Sequence, residues 1–210
     1  MKNLQKHMVA ITKKVSGARG ILQGVEFNSE TNKLNCTDSH RLLSVTHNKE
    51  IKEDMVLNLE TLEQLDGNYP QIERLFPTTG SDAIINLNDV DGELIKKLTS
   101  HKKDIIELVM RQDLIQINVK PMKENGYEAD YYTGVATLGF IRVSDSDFNN
   151  EEIYFNAEYL RDCFKFMIDF KKENKDSNVS LKINGSVRPI MFSDNNNQFR
   201  YVITPIRISQ

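Results

Sequence analysis

Ile153-Tyr154-Phe155-Asn156-Ala157-Glu158-Tyr159-Leu160-Arg161-Asp162-Cys163-Phe164-Lys165-Phe166-Met167-Ile168-Asp169-Phe170-Lys171-Lys172 is the stretch that decides how this chain is built. Its first three residues have strand composition, Asn156 is placed to cap a helix, and the apolar spacing predicts that helix from Ala157 to about Lys172. On a wheel of about 100° per residue, Tyr159, Leu160, Cys163, Phe164, Met167 and Phe170 share one broad face. Arg161, Lys165 and Lys172 share the opposite stripe, with Glu158, Asp162, Asp169 and Glu173 flanking it. Three closing strands are expected at Val179–Ile183, Arg188–Phe192 and Phe199–Ile208. A helix laid on an antiparallel sheet, an α+β arrangement, follows from that order of elements.

Upstream the same design recurs. A strand at Ala83–Leu87 leads to a helix at Gly92–Lys103, in which Leu94 and Leu98 mark the buried side and Lys96 and Lys103 lie nearly opposite. Strands are expected at Ile105–Met110, Leu114–Val119, Tyr132–Val143 and Ile153–Phe155. The chain opens with another helix, Leu4–Val15, whose Leu4, Met8, Ile11 and Val15 share one face while Lys2, Lys6 and Lys13 cluster about half a turn away. Strands at Ile21–Phe27, Lys33–Cys36, Arg41–Thr46 and Val56–Asn58 come next, then a short helix at Leu59–Leu65 capped by Asn58. Residues 66–80 have the Gly, Pro and Asn content of a connector but also carry Tyr69, Ile72, Leu75 and Phe76, so a linker that packs is expected there. The expected division is therefore a domain at 1–80, connector included, and a second at 81–210.

The function classes open to the chain are few. Its 210 residues allow one large domain or two small ones, and the formal net charge of −3 argues against a basic nucleic-acid-binding tail. Charge is nevertheless segregated: Lys2, Lys6, Lys13, Lys14 and Arg19 occur with no acid among them, while acids gather at 50–63 and 145–152. The basic start is unlike a signal peptide and no apolar run would span a membrane, so a cytoplasmic protein with no membrane partner is expected. Cys36 and Cys163 are distant and without CxxC partners, which fits buried reduced thiols. His7, His40, His47 and His101 lack metal-ligand spacing, Gly17, Gly20 and Gly24 do not form a phosphate loop, and Asp38-Ser39-His40 are sequence neighbours of a kind that seldom builds a triad. The Asp145–Asn156 stretch opens like a calcium loop but has Asn150 where glycine and Asn156 where glutamate belong. It and the loop at Lys123–Asp130 read as solvated. No metal, no cofactor and no enzyme activity are expected.

What remains is electrostatic. Exposed helix faces often carry lysine for solubility alone, but here an acidic chain centres Lys or Arg opposite the core in three helices. Such a layer attracts a phosphate backbone without reading bases. Lys2, Lys6, Lys13, Lys96, Lys103, Arg161, Lys165 and Lys172 are the candidate contacts to duplex DNA.

Four stretches carry a resemblance. Thr37-Asp38-Ser39-His40-Arg41-Leu42, Gly67-Asn68-Tyr69-Pro70 through Pro77, Phe155-Asn156-Ala157-Glu158-Tyr159-Leu160 and Tyr201-Val202-Ile203-Thr204-Pro205-Ile206-Arg207-Ile208 occur in the order seen in the bacterial sliding clamp, the β subunit of DNA polymerase III, and the chain resembles that family. The resemblance implies the DNA-clamp fold, with helices on one face of antiparallel sheets, as one full module preceded by one truncated module. It also implies partners: duplex DNA, and DNA polymerase or other proteins carrying a short clamp-binding peptide. Carried over position by position, the peptide cleft would be lined by Leu22, Thr37, Ser39, His40, Arg41 and Leu42, by Pro70, Arg74 and Leu75 of the connector, and by Val187, Pro189, Val202, Ile203, Thr204, Pro205, Ile206 and Arg207.

The chain departs from the family's pattern in places. Ser39 replaces a glycine, Thr204 and Ile206 replace methionines, and the first region lacks an opening strand and the strands expected after Leu65. A closed ring, as a homo-oligomer of two or three copies, is one expectation. A monomeric, clamp-derived decoy or regulator that binds partner peptides without encircling DNA is the other.

Overall fold

The structure, a computed structural model, describes residues 3–120 and 136–208. Twelve strands form one continuous antiparallel sheet in the order β4-β1-β2-β3-β12-β11-β10-β5-β8-β7-β6-β9. The strands are β1 Val25–Asn28, β2 Lys33–Thr37, β3 Arg41–Thr46, β4 Met55–Leu57, β5 Ser81–Ile85, β6 Ile105–Met110, β7 Leu114–Lys120, β8 Ala136–Ser144, β9 Glu152–Asn156, β10 Val179–Ile183, β11 Ile190–Asp194 and β12 Phe199–Ile203. Helices α1 Leu4–Thr12, α2 Gly92–Ser100 and α3 Ala157–Glu173 pack against it, and α3 touches both of the others. The main core lies between helices and sheet, with Met8 and Ile11, Leu94 and Leu98, and Leu160, Phe164 and Met167 pressed against Leu43, Ile117 and Tyr201.

Each helix is followed by a three-stranded meander: α1 by β1-β2-β3, α2 by β6-β7-β8 and α3 by β10-β11-β12. The second region holds two such units, each opened by a strand, β5 or β9. The first region holds one unit and then β4, which pairs with β1 just as β9 pairs with β6. This is the expected α+β clamp arrangement, one full module after a truncated one. The two regions are stitched by β3 against β12, where Arg41 to Val45 pair with Ile203 to Phe199.

Local chemistry sets the boundaries. Asn156 Oδ1 accepts from the amide of Glu158 at 2.8 Å and Asp91 Oδ1 from that of Leu94 at 2.8 Å, so α3 and α2 begin at their caps. Several expected elements are shorter. The first helix stops at Thr12, the second at Ser100, and the last strand at Ile203, beyond which Thr204 turns its amide to the His40 carbonyl and Ile206 to that of Tyr154. The strand expected over Ile21–Phe27 is a 3₁₀ turn at Gly17–Gln23 followed by β1. Of the strand expected at Tyr132–Val143, residues 132–135 and the Lys123–Asp130 loop lie outside the described residues.

The helix expected at Leu59–Leu65 is not there. Asn58 Oδ1 does accept from the amides of Glu60 and Thr61, but Leu62 adopts φ +62 and the chain folds back, with Leu65 donating to the Val56 carbonyl. The connector does pack: Ile72 and Phe76 are buried with Leu42, Met191 and Val202 in a second cluster on the other side of the sheet, with Tyr69 against it.

Candidate functional site

Two surfaces gather the residues singled out above. On the helix layer, Lys6 of α1, Lys13 just after it, Lys96 of α2, Lys103 beyond its end and Lys165 of α3 are exposed, and among the described residues their ammonium groups have no hydrogen-bond or ion-pair partner. Lys172 is exposed too, with Asp169 Oδ1 at 2.8 Å. Arg161 is different. Its guanidinium lies 2.7 Å from Asp162 Oδ1 and 3.0 Å from Glu158 Oε1 and the side chain is only 12% exposed, so it is withdrawn from the free cations of this face. Lys2 lies outside the described residues.

At the seam between the two regions, the β2–β3 hairpin, the connector and the segment after β12 converge. Leu42 pairs with Val202, and Thr204 donates both its amide and its hydroxyl to the His40 carbonyl, at 2.8 and 2.9 Å. Ile190 pairs with Ile203, which puts Pro189 one step of register further, opposite Thr204. Leu42 and Val202 form a buried apolar floor under Ile72 and Phe76, while Pro70, Arg74, Arg207 and Ser39 are exposed, Leu75 is 50% exposed and Val187 57%. Pro189, Thr204, Pro205 and Ile206 are half-buried. The residues with free apolar surface are thus Leu75 and Val187 together with these half-buried ones. Leu22 is buried beneath the 3₁₀ turn and Thr37 is buried with its hydroxyl donating to the Arg41 carbonyl at 2.8 Å, so both shape the surface from below.

Two residues expected in the cleft face away from it. Ile203 is fully buried in the main core, on the helix side of the sheet, because alternation along β12 sends it opposite to Val202. Arg41 is 1% exposed. Its Nε donates to Asp38 Oδ2 at 2.9 Å, Nη1 to Asp162 Oδ2 at 2.6 Å and Nη2 to the Ala10 carbonyl at 2.8 Å, and the guanidinium lies over the Tyr159 ring. Each of its three nitrogens is engaged and the side chain is buried, so Arg41 binds the hairpin to α1 and α3 and offers nothing to a ligand. Burial works to lower its pKa, but Tyr201, Asp38 and Asp162 outweigh this and push it up. Sequence reasoning missed this role, as only Asp38 is close to Arg41 in the chain.

The hairpin turn is rigidly defined. Asp38 Oδ1 accepts from the amides of His40 and Arg41, Ser39 stands at φ +76, and the His40 ring stacks on Tyr159 with centroids 5.9 Å apart. At the other end of α3, Asp169 receives Asn3, His7 and Lys172. Burial alone would raise its pKa, yet these hydrogen bonds hold it at about 2. Burial lowers the pKa of His7 and outweighs the attraction of Asp169. Among the described residues no group of three or more His, Cys, Asp or Glu is arranged to hold a metal ion, and no helix is long and apolar enough to cross a membrane.

No family model matches the chain, and no curated protein matches it. Solved structures do. The beta subunit of DNA polymerase III from Eubacterium rectale superimposes with TM-score 0.72 at 15% identity, over 97% of this chain and 63% of that one. The subunit from Streptococcus pyogenes gives 0.71 at 20% identity, over 98% and 64%. The DNA polymerase sliding clamp of Bacillus subtilis gives 0.69 at 18%, over 99% and 63%. The chain therefore has the sliding-clamp fold in shortened form, spanning a little under two thirds of the length of these solved clamps.

Proposed function

We propose that the chain is a sliding-clamp-like processivity factor of DNA replication or repair, which contacts duplex DNA through the helix layer and takes partner peptides at the seam surface. The carrying observation is that α1, α2 and α3, side by side on one side of the sheet, each expose lysines without acidic partners. Such a surface suits sequence-blind contact with phosphates, whose affinity falls steeply with salt. The division at residues 80 and 81 belongs to the same proposal, with the connector serving as one wall of the seam surface. A polymerase or repair protein would present a short extended peptide whose apolar side chains cover Leu75, Val187 and Ile206. At about 25 cal/mol per Å² of apolar surface, two or three such side chains supply several kcal/mol, largely offset by ordering the peptide.

Both halves are measurable by polarisation. Labelled duplex DNA should bind with an affinity indifferent to sequence, and Lys6→Glu with Lys165→Glu should weaken it at least tenfold. Unchanged affinity in that variant removes the DNA half. A Gln-x-x-Leu-Phe peptide should bind at micromolar concentration and lose most of its affinity in Leu75→Ser with Val187→Ser, both exposed enough to spare the fold. Absence of binding at high micromolar removes the peptide half. The single-helix first region favours one further reading, a monomeric regulator that keeps the peptide surface without encircling DNA. Solution mass decides between that and a ring of two or three copies.

A further inference from the structure

The end of β4 resembles the end of β9. Both strands pair with the first strand of the preceding meander, and at the end of each stands an asparagine whose Oδ1 accepts backbone amides: Asn58, just after β4, from Glu60 and Thr61, and Asn156, the last residue of β9, from Glu158. After Asn156 the chain runs on as α3 for 17 residues. After Asn58 a single turn forms and Leu62, at φ +62, ends it. In the second region α2 and α3 lie side by side, whereas in the first α1 has, among the described residues, no helix on its flank away from α3.

That flank is open. A groove of about 610 Å³ runs along α1, lined by Gln5, Lys6, Val9, Lys13, Leu59 and Glu60 among others. His7 of α1 and Lys14 just past its end point to α3, where they meet Asp169 and Glu158, and Gln5 and Val9 lie about half a turn around the helix from His7. Gln5 Nε2 donates to the Leu59 carbonyl at 3.0 Å, which fixes the far wall. The floor is shallow, formed by Val9 and the partly buried Leu59, with Ala10 at its edge toward α3. Lys6 and Lys13, without partners among the described residues, stand over it about 10 Å apart along the helix axis, two turns of helix.

We propose that this groove docks a short amphipathic helix with an acidic flank, supplied by a partner protein, in the place where the first region lacks a second helix. Apolar surface at Val9 and Leu59 is of no use to a phosphate backbone. The two lysines call for carboxylates on either side of the docked helix's apolar stripe. A second copy of this chain fits poorly: its own α1 flank would set Lys6 and Lys13 against the same two lysines, and α2 would bring the exposed Lys96 against them, like charge in either case. The inference does not depend on the DNA or seam-peptide proposals. It adds that duplex and helix would compete for Lys6 and Lys13.

The probe is a 14-residue designed helix with leucines on one stripe and glutamates flanking it, beside a scrambled peptide of identical composition with the stripe destroyed. Titrated into the isotopically labelled full chain, the striped peptide should shift amide signals confined to residues 3–13 and 59–60 and bind at tens of micromolar. The scrambled one should bind at least tenfold more weakly. Lys13→Glu, on the exposed rim, and Val9→Glu, in the floor, should each weaken the striped peptide at least fivefold while leaving the seam peptide unaffected. Equal binding of both peptides, or shifts spread over the whole helix layer, would mean charge attraction alone and overturns the proposal. So does concentration-dependent self-association lost in Val9→Glu, which would assign the groove to a second copy.

Discussion

Replacing Arg41 with alanine should cost about 4 kcal/mol of folding stability while leaving peptide contacts at the seam chemically intact. The guanidinium makes three hydrogen bonds, two to carboxylates whose side chains are 6% and 13% exposed, and covers Tyr159. Bonds to charged groups contribute about 1.5–3 kcal/mol each, and removing one member of a buried charge set typically costs 3–5 kcal/mol because the remaining charges are left unpaired. Asp38 also holds the hairpin amides and Asp162 keeps Arg161, so part of the loss is recovered, which places the expectation near the middle of that range. For a chain of 210 residues, with roughly 2–4 °C per kcal/mol, this is a fall in Tm of about 8–16 °C. Urea unfolding followed by far-UV circular dichroism measures it. A cycle with Asp162→Asn should show a coupling of about 2 kcal/mol. A loss below 1 kcal/mol, accompanied by weakened seam-peptide binding, would refute the reasoning and return Arg41 to the ligand surface.

Further outcomes follow from single sites. Gly80 has φ +126 and a Cβ there would lie 2.0 Å from the Ile183 carbonyl oxygen, so Gly80→Ala should lower stability by about 2–4 kcal/mol, read by the same unfolding curve. Ser39 sits in the left-handed region, where glycine is relaxed, and Ser39→Gly should raise the unfolding free energy slightly, by about 0.5–1 kcal/mol, despite losing the exposed bond from Arg19. His7 has its pKa lowered by burial, so the unfolded chain takes up the proton first. Stability should fall as pH drops below the ordinary histidine value of 6.5, and His7→Gln should flatten that slope between pH 7 and 5. Asp169, held at about 2 against an ordinary 3.8, contributes stability present above pH 4 and lost as pH falls towards 2. Partial exposure limits this to about 1 kcal/mol, and Asp169→Asn should remove it in acid melts.

What the sequence disclosed depended on how local the deciding contact is. The helix α3 was legible because its apolar period and the Asn156 cap both lie inside one stretch of chain, and α2 and the meanders likewise. At Asn58 the same local signals are present, a cap and spaced leucines, yet the helix fails because Asn58 and Leu65 pair instead with Glu63 and Val56 along the edge of β4. Sheet pairing there overrides helical preference, and nothing in the spacing announces it. At the seam, Leu42, Val202 and the connector residues Ile72 and Phe76 do lie together, and local sequence gives that only as a neighbourhood. The face each side chain takes follows from strand alternation, which puts Ile203 opposite to Val202. For Arg41 the partners Ala10 and Asp162 are 31 and 121 residues away, beyond what any local pattern carries.

The Arg41 contacts also bear on how a chain of net charge −3 can present a basic face. The acids flanking the stripe on α3 looked as if they would cancel it. In the fold, Glu158 and Asp162 are engaged by Lys14, Arg161 and Arg41, and Arg41 continues to Asp38, a chain of alternating charges that sums to zero along the seam between α1, α3 and the hairpin. Opposite charges in contact have little field beyond the screening length of about 8–10 Å, whereas isolated lysines keep theirs. What a phosphate approaching the helix layer meets is then set by Lys6, Lys13, Lys96, Lys103 and Lys165. Breaking the seam with Asp162→Asn should raise duplex affinity modestly by releasing Arg161, even as it lowers stability. A duplex affinity that falls in step with stability would mean that the free lysines do not set the field of this face.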